Sequence, residues 1–190
     1  MTSGRPDLFG GGLSMPAGFR YEPDLITGDE ERVLLEAFEH LTFKEFEFQG
    51  FLGKRRVVSF GWRYDFNTRE VHEAEGMPPF LLVLREKAAH LAAMAPAEFQ
   101  HALVTEYSAG AAIGWHKDKA VFSEVVGVSL LSACTFRLRR KAAASWKRAL
   151  LVAAPRSAYL LSGPARNEWE HSIPAVDSLR YSVTFRNRRS

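Results

Sequence analysis

From residue 99 onward the chain breaks into short β-rich runs separated by turn residues, and two helix-like segments precede them. One C-terminal run alternates with a period of two. Together these features predict a mainly β domain with flanking helices (α+β): a double-sheet jelly roll or barrel with two helices packed on one sheet. The expected strands are 100–107, 111–116, 125–132, 133–140, 148–153, 156–162, 168–173 and 179–187. Along Arg180–Arg186, Tyr181, Val183 and Phe185 share one face, and both arginines and Ser182 share the other.

Ahead of these strands, residues 1–17 are rich in glycine and proline and read as a flexible arm. Residues 18–26 read as an edge strand interrupted by Pro23. Thr27-Gly28-Asp29-Glu30 matches a capping box, in which the threonine hydroxyl takes an orphan amide and Glu30 reaches back. The helix it opens should run to about His40 and bury Val33, Leu34, Phe38 and Leu41. A second helix is expected after Pro78-Pro79, carrying Leu81, Leu84, Ala88, Leu91 and Ala92, because proline suits the first helical turn. Residues 18–190 thus form one domain, with 18–98 as substrate lid and helical support and 99–187 as the jelly-roll core.

The composition, 46% hydrophobic and 25% charged over 190 residues, is that of a folded domain rather than a disordered or fibrous chain. No apolar run approaches the roughly 20 residues that span a bilayer. Met1–Met15 lacks the basic-then-apolar profile of a secretory signal, and a lone Cys134 excludes an internal disulfide framework. A cytoplasmic monomer with no membrane attachment is expected, with Cys134 as a small core residue. The net charge is +3, gathered at Lys54-Arg55-Arg56 and at Arg137, Arg139, Arg140, Lys141, Lys147 and Arg148. Such clusters line phosphate backbones or, equally, guard strand edges against aggregation.

The chemistry-bearing residues are His116, Asp118 and His171, followed by Arg180 and Arg186. Two imidazoles and one carboxylate are the set that leaves three faces of a non-haem Fe(II) open. Positions 116 and 118 face alike on a strand, and His171 is the only histidine beyond them. His40, His72, His90 and His101 are weaker candidates. On residue types alone, a chance His-x-Asp pair with a buried core histidine fits as well. Arg180 and Arg186, six apart, would share the inner face of one strand, a costly placement unless they bind anions. If they instead face solvent, Arg188 and Arg189 continue the same basic run.

Several stretches jointly resemble the AlkB family of Fe(II)/2-oxoglutarate dioxygenases. They are Tyr107-Ser-Ala-Gly110, Gly114-Trp-His116-Lys-Asp118-Lys119, Gly127-Val-Ser-Leu-Leu-Ser132, Ser162-Gly-Pro-Ala-Arg166-Asn-Glu-Trp169-Glu-His171-Ser-Ile-Pro174 and Arg180-Tyr-Ser-Val-Thr-Phe-Arg186. The resemblance implies a double-stranded β-helix holding iron by His116, Asp118 and His171. It implies 2-oxoglutarate gripped by Tyr107 and Arg180, with Thr105 and Ser182 as polar neighbours and Arg186 near the iron-chelating end. The implied reaction uses O2, releases succinate and CO2, and removes N-alkyl groups from bases in DNA or RNA, most simply single-stranded, such as 1-methyladenine or 3-methylcytosine. Trp62 and Tyr64 stand where the family stacks a flipped base, although strand aromatics also pack on cores. Arg55, Arg56, Arg137 and Arg139 would then hold phosphates.

The chain departs from the family at three places. Thr105 and Ser182 stand where asparagines are common, and both still offer hydrogen bonds. Ala120 and Val121 replace acids that contact the base edge in DNA-repair members, which leaves base identity open. An oxygenase of a protein side chain or small molecule is therefore a second reading, and a nucleic-acid-binding jelly roll with a vestigial metal site a third.

Overall fold

The computed structural model describes residues 14–48, 51–64, 71–73 and 76–189, with backbone alone for 46–48, 51–53, 63–64 and 71–73. In chain order the elements are β1 (Phe19–Glu22), α1 (Gly28–Phe38), β2 (Lys44–Phe48), β3 (Phe51–Phe60), β4 (Trp62–Tyr64), β5 (Val71–Glu73) and α2 (Pro79–Ala92). They continue with β6 (Phe99–Tyr107), β7 (Ile113–His116), β8 (Phe122–Leu130), β9 (Cys134–Ala142), β10 (Ser145–Ala153), β11 (Ala158–Leu161), α3 (Gly163–Asn167), β12 (Glu170–Ile173) and β13 (Arg180–Arg188). A seven-stranded sheet in the order β1-β11-β8-β13-β6-β3-β2 faces a four-stranded sheet, β10-β9-β12-β7, with β4 and β5 as a separate pair. This is the expected mainly β, two-sheet architecture.

Both helices begin and end for legible reasons. At α1, Glu30 N donates to the Thr27 hydroxyl at 3.2 Å and Thr27 N donates to the Glu30 carboxylate at 2.8 Å, which completes the capping box. Pro79 opens α2, and Ala93, at φ 56°, closes it. Leu34 and Phe38 from α1 and Leu81, Leu84, Ala88 and Leu91 from α2 pack on Val104, Val126, Val128, Val183 and Phe185 of the large sheet. The expected burial of Val33 is corrected: it is 52% exposed, because the inward stripe of α1 runs through Glu31, Leu34 and Phe38 instead.

The opposite face of the large sheet meets the small sheet. Tyr107, Val125, Tyr159 and Leu161 pack there against Phe136, Leu138, Ala149 and Ile173, with Cys134 buried among them as expected. Among the inner-facing rows that cross the sheet, three carry the polar groups. The first is Arg55, Tyr107 and Arg180; the second is Val57, Thr105, Ser182 and Ser129; the last is His101, Arg186, Val125 and Leu161. Strands β2 to β5 and the short α3 are not among the sequence-derived elements. Gly61, at φ 78°, separates β3 from β4, where a side chain would collide with the carbonyl of Gln100. Among the described residues no helix is long and apolar enough to cross a membrane.

Gly127 serves the packing between the sheets. A Cβ there would overlap the ring of Tyr159, which packs tilted on Phe136 with centroids 4.3 Å apart. Gly127→Ala should therefore lower unfolding free energy in urea by about 1–3 kcal/mol, the usual cost of overpacking. A change below about 0.5 kcal/mol, the level of neutral surface substitutions, would show that the ring has room to move.

Candidate active site

The space between the sheets is closed by apolar side chains except along one line, where charged and polar groups gather. β12 pairs with β7 so that His171 stands directly opposite His116, with ring centroids 4.3 Å apart. His116 Nδ1 lies 2.9 Å from its own strand's Gly114 carbonyl. A carbonyl only accepts, so Nδ1 carries the proton and the Nε2 lone pair is left for another partner. Asp118 follows the strand rather than lying on it, since β7 ends at His116. The expected i, i+2 strand alternation therefore does not orient this carboxylate.

Its position is instead held from outside the strand. Arg166, buried on α3, donates from Nη2 to the Lys119 carbonyl at 2.6 Å and the Phe122 carbonyl at 2.8 Å, pinning the segment just after Asp118. Arg186 Nε donates to Asp118 Oδ1 at 2.8 Å, and Asp118 Oδ2 lies 3.6 Å from His171 Nε2. Among the described residues no three His, Cys, Asp or Glu donors are gathered into a closed metal-binding group; one Asp118 oxygen is engaged by Arg186 as the chain stands. The chemistry nonetheless suits a divalent ion. Burial alone would raise the Asp118 carboxyl, but Arg186, then His171, His116 and Arg166, overcome it and hold the group below the usual carboxylate range. Burial depresses His171 to about 3, so its imidazole is neutral. One ionised carboxylate and the imidazoles of His116 and His171 could hold Fe(II).

Further up the inner face of β13, Arg180 is 1% exposed. Its Nη2 donates to Ser129 Oγ at 3.1 Å, while Nε and Nη1 are buried with no partner among the described residues. The guanidinium lies over the Tyr107 ring at 4.7 Å, and the Tyr107 hydroxyl is 3.4 Å from Ser182 Oγ. Thr105 is buried in the same row as Ser182. Leaving two charged donors unsatisfied in a dry interior is expensive, and a carboxylate offers the matching pair of acceptors. The donor set around Arg180 therefore suits one end of a dicarboxylate.

The sequence-derived residues divide into two sets. His116, Asp118, His171, Arg186, Tyr107, Thr105, Arg180 and Ser182 all come together between the sheets. Arg55 joins them from β3, hydrogen-bonded to Tyr107. Arg56, one residue on, points the other way and binds the Glu106 carboxylate with Nε and Nη2 at 2.8 and 2.9 Å. Trp62 is half-buried with the Arg188 guanidinium 5.4 Å above its ring, while the Tyr64 side chain lies outside the described residues. Arg137 and Arg139 alternate with the buried Phe136 and Leu138, so they face outward from the small sheet and are not brought to the site. Sequence reasoning misses two residues. Arg166 enters it only as part of a motif, and His101 ranks low although it lies buried in the Arg186 row. Phase is the signal that finds His101: in an alternating strand it shares its face with Leu103, Thr105 and Tyr107.

Arg186 Nη1 lies 3.5 Å from His101 Nδ1, and His101 stacks on Phe122. Burial, reinforced by Arg186, lowers His101 from 6.5 to about 3. The unfolded chain therefore binds a proton below pH 6.5 that the native state refuses, and stability falls as pH drops from about 6.5 toward 3. Between pH 7 and pH 5 this one residue should cost about 2 kcal/mol. His101→Gln should shrink the stability difference between those pH values by that amount in urea titrations. An unchanged difference would mean that native His101 accepts a proton freely.

Comparison with known proteins bears on family and fold. The model of the 2OG-Fe(II) oxygenase superfamily matches residues 31–188. The Alkylated DNA repair protein ALKBH8 homolog of Arabidopsis thaliana is 28% identical over 203 aligned residues, covering 93% of this chain and 57% of that protein. The chain thus spans little more than half the length of that relative. The solved structure of OsALKBH1 superposes with a TM-score of 0.67 at 15% identity, covering 93% of this chain and 99% of the other, and supports the fold. A family match over most of the chain, on a two-sheet β fold that gathers these residues between its sheets, identifies this protein as a member of the 2OG-Fe(II) oxygenase superfamily, an oxygenase whose cofactors are Fe(II), 2-oxoglutarate and O2.

Proposed function

We propose that the chain oxidatively removes alkyl groups from nitrogen atoms of nucleobases in single-stranded DNA or RNA, with 1-methyladenine and 3-methylcytosine as representative substrates. The observation that carries this reading is Trp62, half-buried and roofed by Arg188 at 5.4 Å, an aromatic face beside a cation of the kind on which an extruded base stacks. The name of the Arabidopsis relative, an alkylated DNA repair protein, supports the same substrate class.

In this reading His116, Asp118 and His171 hold the iron, with the Gly114 carbonyl fixing the His116 tautomer and Arg186 keeping Asp118 ionised. Arg180, Tyr107 and Ser182, with Thr105 and Ser129 around them, bind the far carboxylate of 2-oxoglutarate. With both bound, the site would supply an oxidant from O2 by decarboxylating the 2-oxo acid. Hydroxylation of the N-alkyl carbon gives a hemiaminal, which collapses to an aldehyde and the unmodified base. The packed walls of Phe136, Leu138, Val125 and Leu161 exclude water around the polar line. Ala120 and Val121 place no carboxylate beside the iron motif, which favours a second reading in which the same oxygenase acts on a protein side chain or small molecule.

Mass spectrometry of methylated single-stranded oligonucleotides, incubated with protein, Fe(II) and ascorbate, separates the two. Loss of a methyl group only when 2-oxoglutarate is present is the expected result; succinate accumulating without that loss moves the substrate outside nucleic acid. Asp118→Ala should abolish succinate formation and, by stripping buried Arg186 of its counter-charge, lower stability as well; unaltered turnover would remove the metal assignment. Arg180→Ala should raise the 2-oxoglutarate KM by roughly ten- to hundredfold, the worth of charged hydrogen bonds. An unchanged KM would place the anion anchor elsewhere.

A further inference from the structure

The outward face of the β9–β10 hairpin combines positive charge with exposed aromatic and apolar surface. From residue 125 to residue 167 the chain carries no aspartate or glutamate, yet it includes Arg137, Arg139, Arg140, Lys141, Lys147 and Arg148. Alternation sends Phe136, Leu138, Ala149 and Leu151 inward, and turns Arg137, Arg139, Lys141, Trp146, Arg148, Leu150 and Val152 outward. Arg139 is stacked between two tryptophans, its guanidinium 4.4 Å from the Trp115 ring and 4.4 Å from the Trp146 ring. Arg137 also lies over Trp115, at 5.1 Å, and donates to Ser172 Oγ at 3.1 Å. Glu170, ion-paired with Arg139 at 2.6 Å, and Glu168, ion-paired with Arg140, answer part of this charge. Trp146, Leu150 and Val152 are 38%, 54% and 57% exposed, three large apolar side chains along one strand edge.

Solvated charge explains lysines on a strand edge, but it does not explain an exposed tryptophan stacked on arginine beside further exposed cations. Aromatic faces alternating with guanidinium groups, on a surface with a net excess of positive charge, match the bases and phosphates of an unpaired strand. The surface also lies directly behind the catalytic interior: Trp115 precedes His116, and Glu170 and Ser172 flank His171. We propose that this face is a second docking surface for single-stranded nucleic acid, engaging the strand that flanks the target base. It rests on the nucleic-acid reading of the substrate, and it assigns to Arg137 and Arg139 a phosphate role at a distance from the reacting atoms.

The test uses the full Fe(II)-loaded chain and a fluorescein-labelled unmodified single-stranded 20-mer, as DNA and as RNA, read by anisotropy. Lys141→Glu/Arg148→Glu should weaken binding at least tenfold and flatten the salt dependence by roughly 0.7 in log–log slope for each phosphate no longer neutralised. Trp146→Ala should weaken it about tenfold. Both variants are at exposed positions, so consumption of 2-oxoglutarate without nucleic acid should stay at the wild-type rate. Turnover of a methylated trinucleotide, too short to reach the hairpin, should also be unchanged, while a methylated 20-mer should no longer show its lower KM. Wild-type affinity in both variants would overturn the proposal, as would a wild-type chain that ignores the 20-mer. So would variants that break up a dimer in gel filtration without altering oligonucleotide binding, since the face would then belong to a second copy. Binding that behaves as expected without any demethylation would count against the dealkylase reading and not against the surface.

Discussion

Two arginines on the inner side of a single buried strand are the constraint around which this molecule is organised. Guanidinium groups do not shed their charge, so Arg180 and Arg186 must find anions or leave β13 unstable in its dry setting. Arg186 is answered by the protein itself, through Asp118 at 2.8 Å. Among the described residues Arg180 is answered only in part, with a serine hydroxyl on Nη2 and no partner on Nε or Nη1. The unsatisfied half of that pair offers donors that match a carboxylate, and the satisfied half keeps a carboxylate ionised beside two histidines.

The rest of the fold serves these two positions. β13 is the central strand of seven, so its outward residues Val183 and Phe185 are buried under α1 and α2 while its inward arginines face the second sheet. The small sheet contributes the histidines as a cross-strand pair, with His116 and His171 opposite one another on β7 and β12. Asp118 comes from neither sheet. It depends on Arg166, whose two backbone hydrogen bonds pin the following segment, and on Arg186. The carboxylate is thus positioned by long-range charged contacts, and the histidines by the sheet's own ladder.

This division also explains what can be read from the chain alone. The capping box at Thr27, the proline start at Pro79 and the two-residue period from Arg180 to Arg186 are local signals, and each lies where its pattern says. Residues 44–60 hide two strands because charged residues crowd them: Lys44, Glu45 and Glu47, then Lys54, Arg55 and Arg56. The pairing of Arg56 with Glu106 and of Arg55 with Tyr107 shows how such a run is accommodated on the sheet. Arg137 and Arg139 look alike in sequence to any phosphate-binding pair, but the phase set by Phe136 and Leu138 turns them away from the interior. The inner face of β6 is legible only in part. Thr105 and Tyr107 emerge through a motif, whereas His101, in the same phase, has no neighbouring ligand in sequence to draw attention to it.

The most direct test of the account is the anaerobic addition of 2-oxoglutarate to the Fe(II)-loaded chain, followed by visible absorption. Chelation of the ferrous ion by a 2-oxo acid gives a coloured complex that needs no substrate. A single complex should form at one equivalent, vanish in His171→Ala, and require far more 2-oxoglutarate in Arg180→Ala. Absence of the complex from the wild-type chain, or its persistence without His171, would contradict the assignment of the space between the sheets as the iron and cosubstrate site.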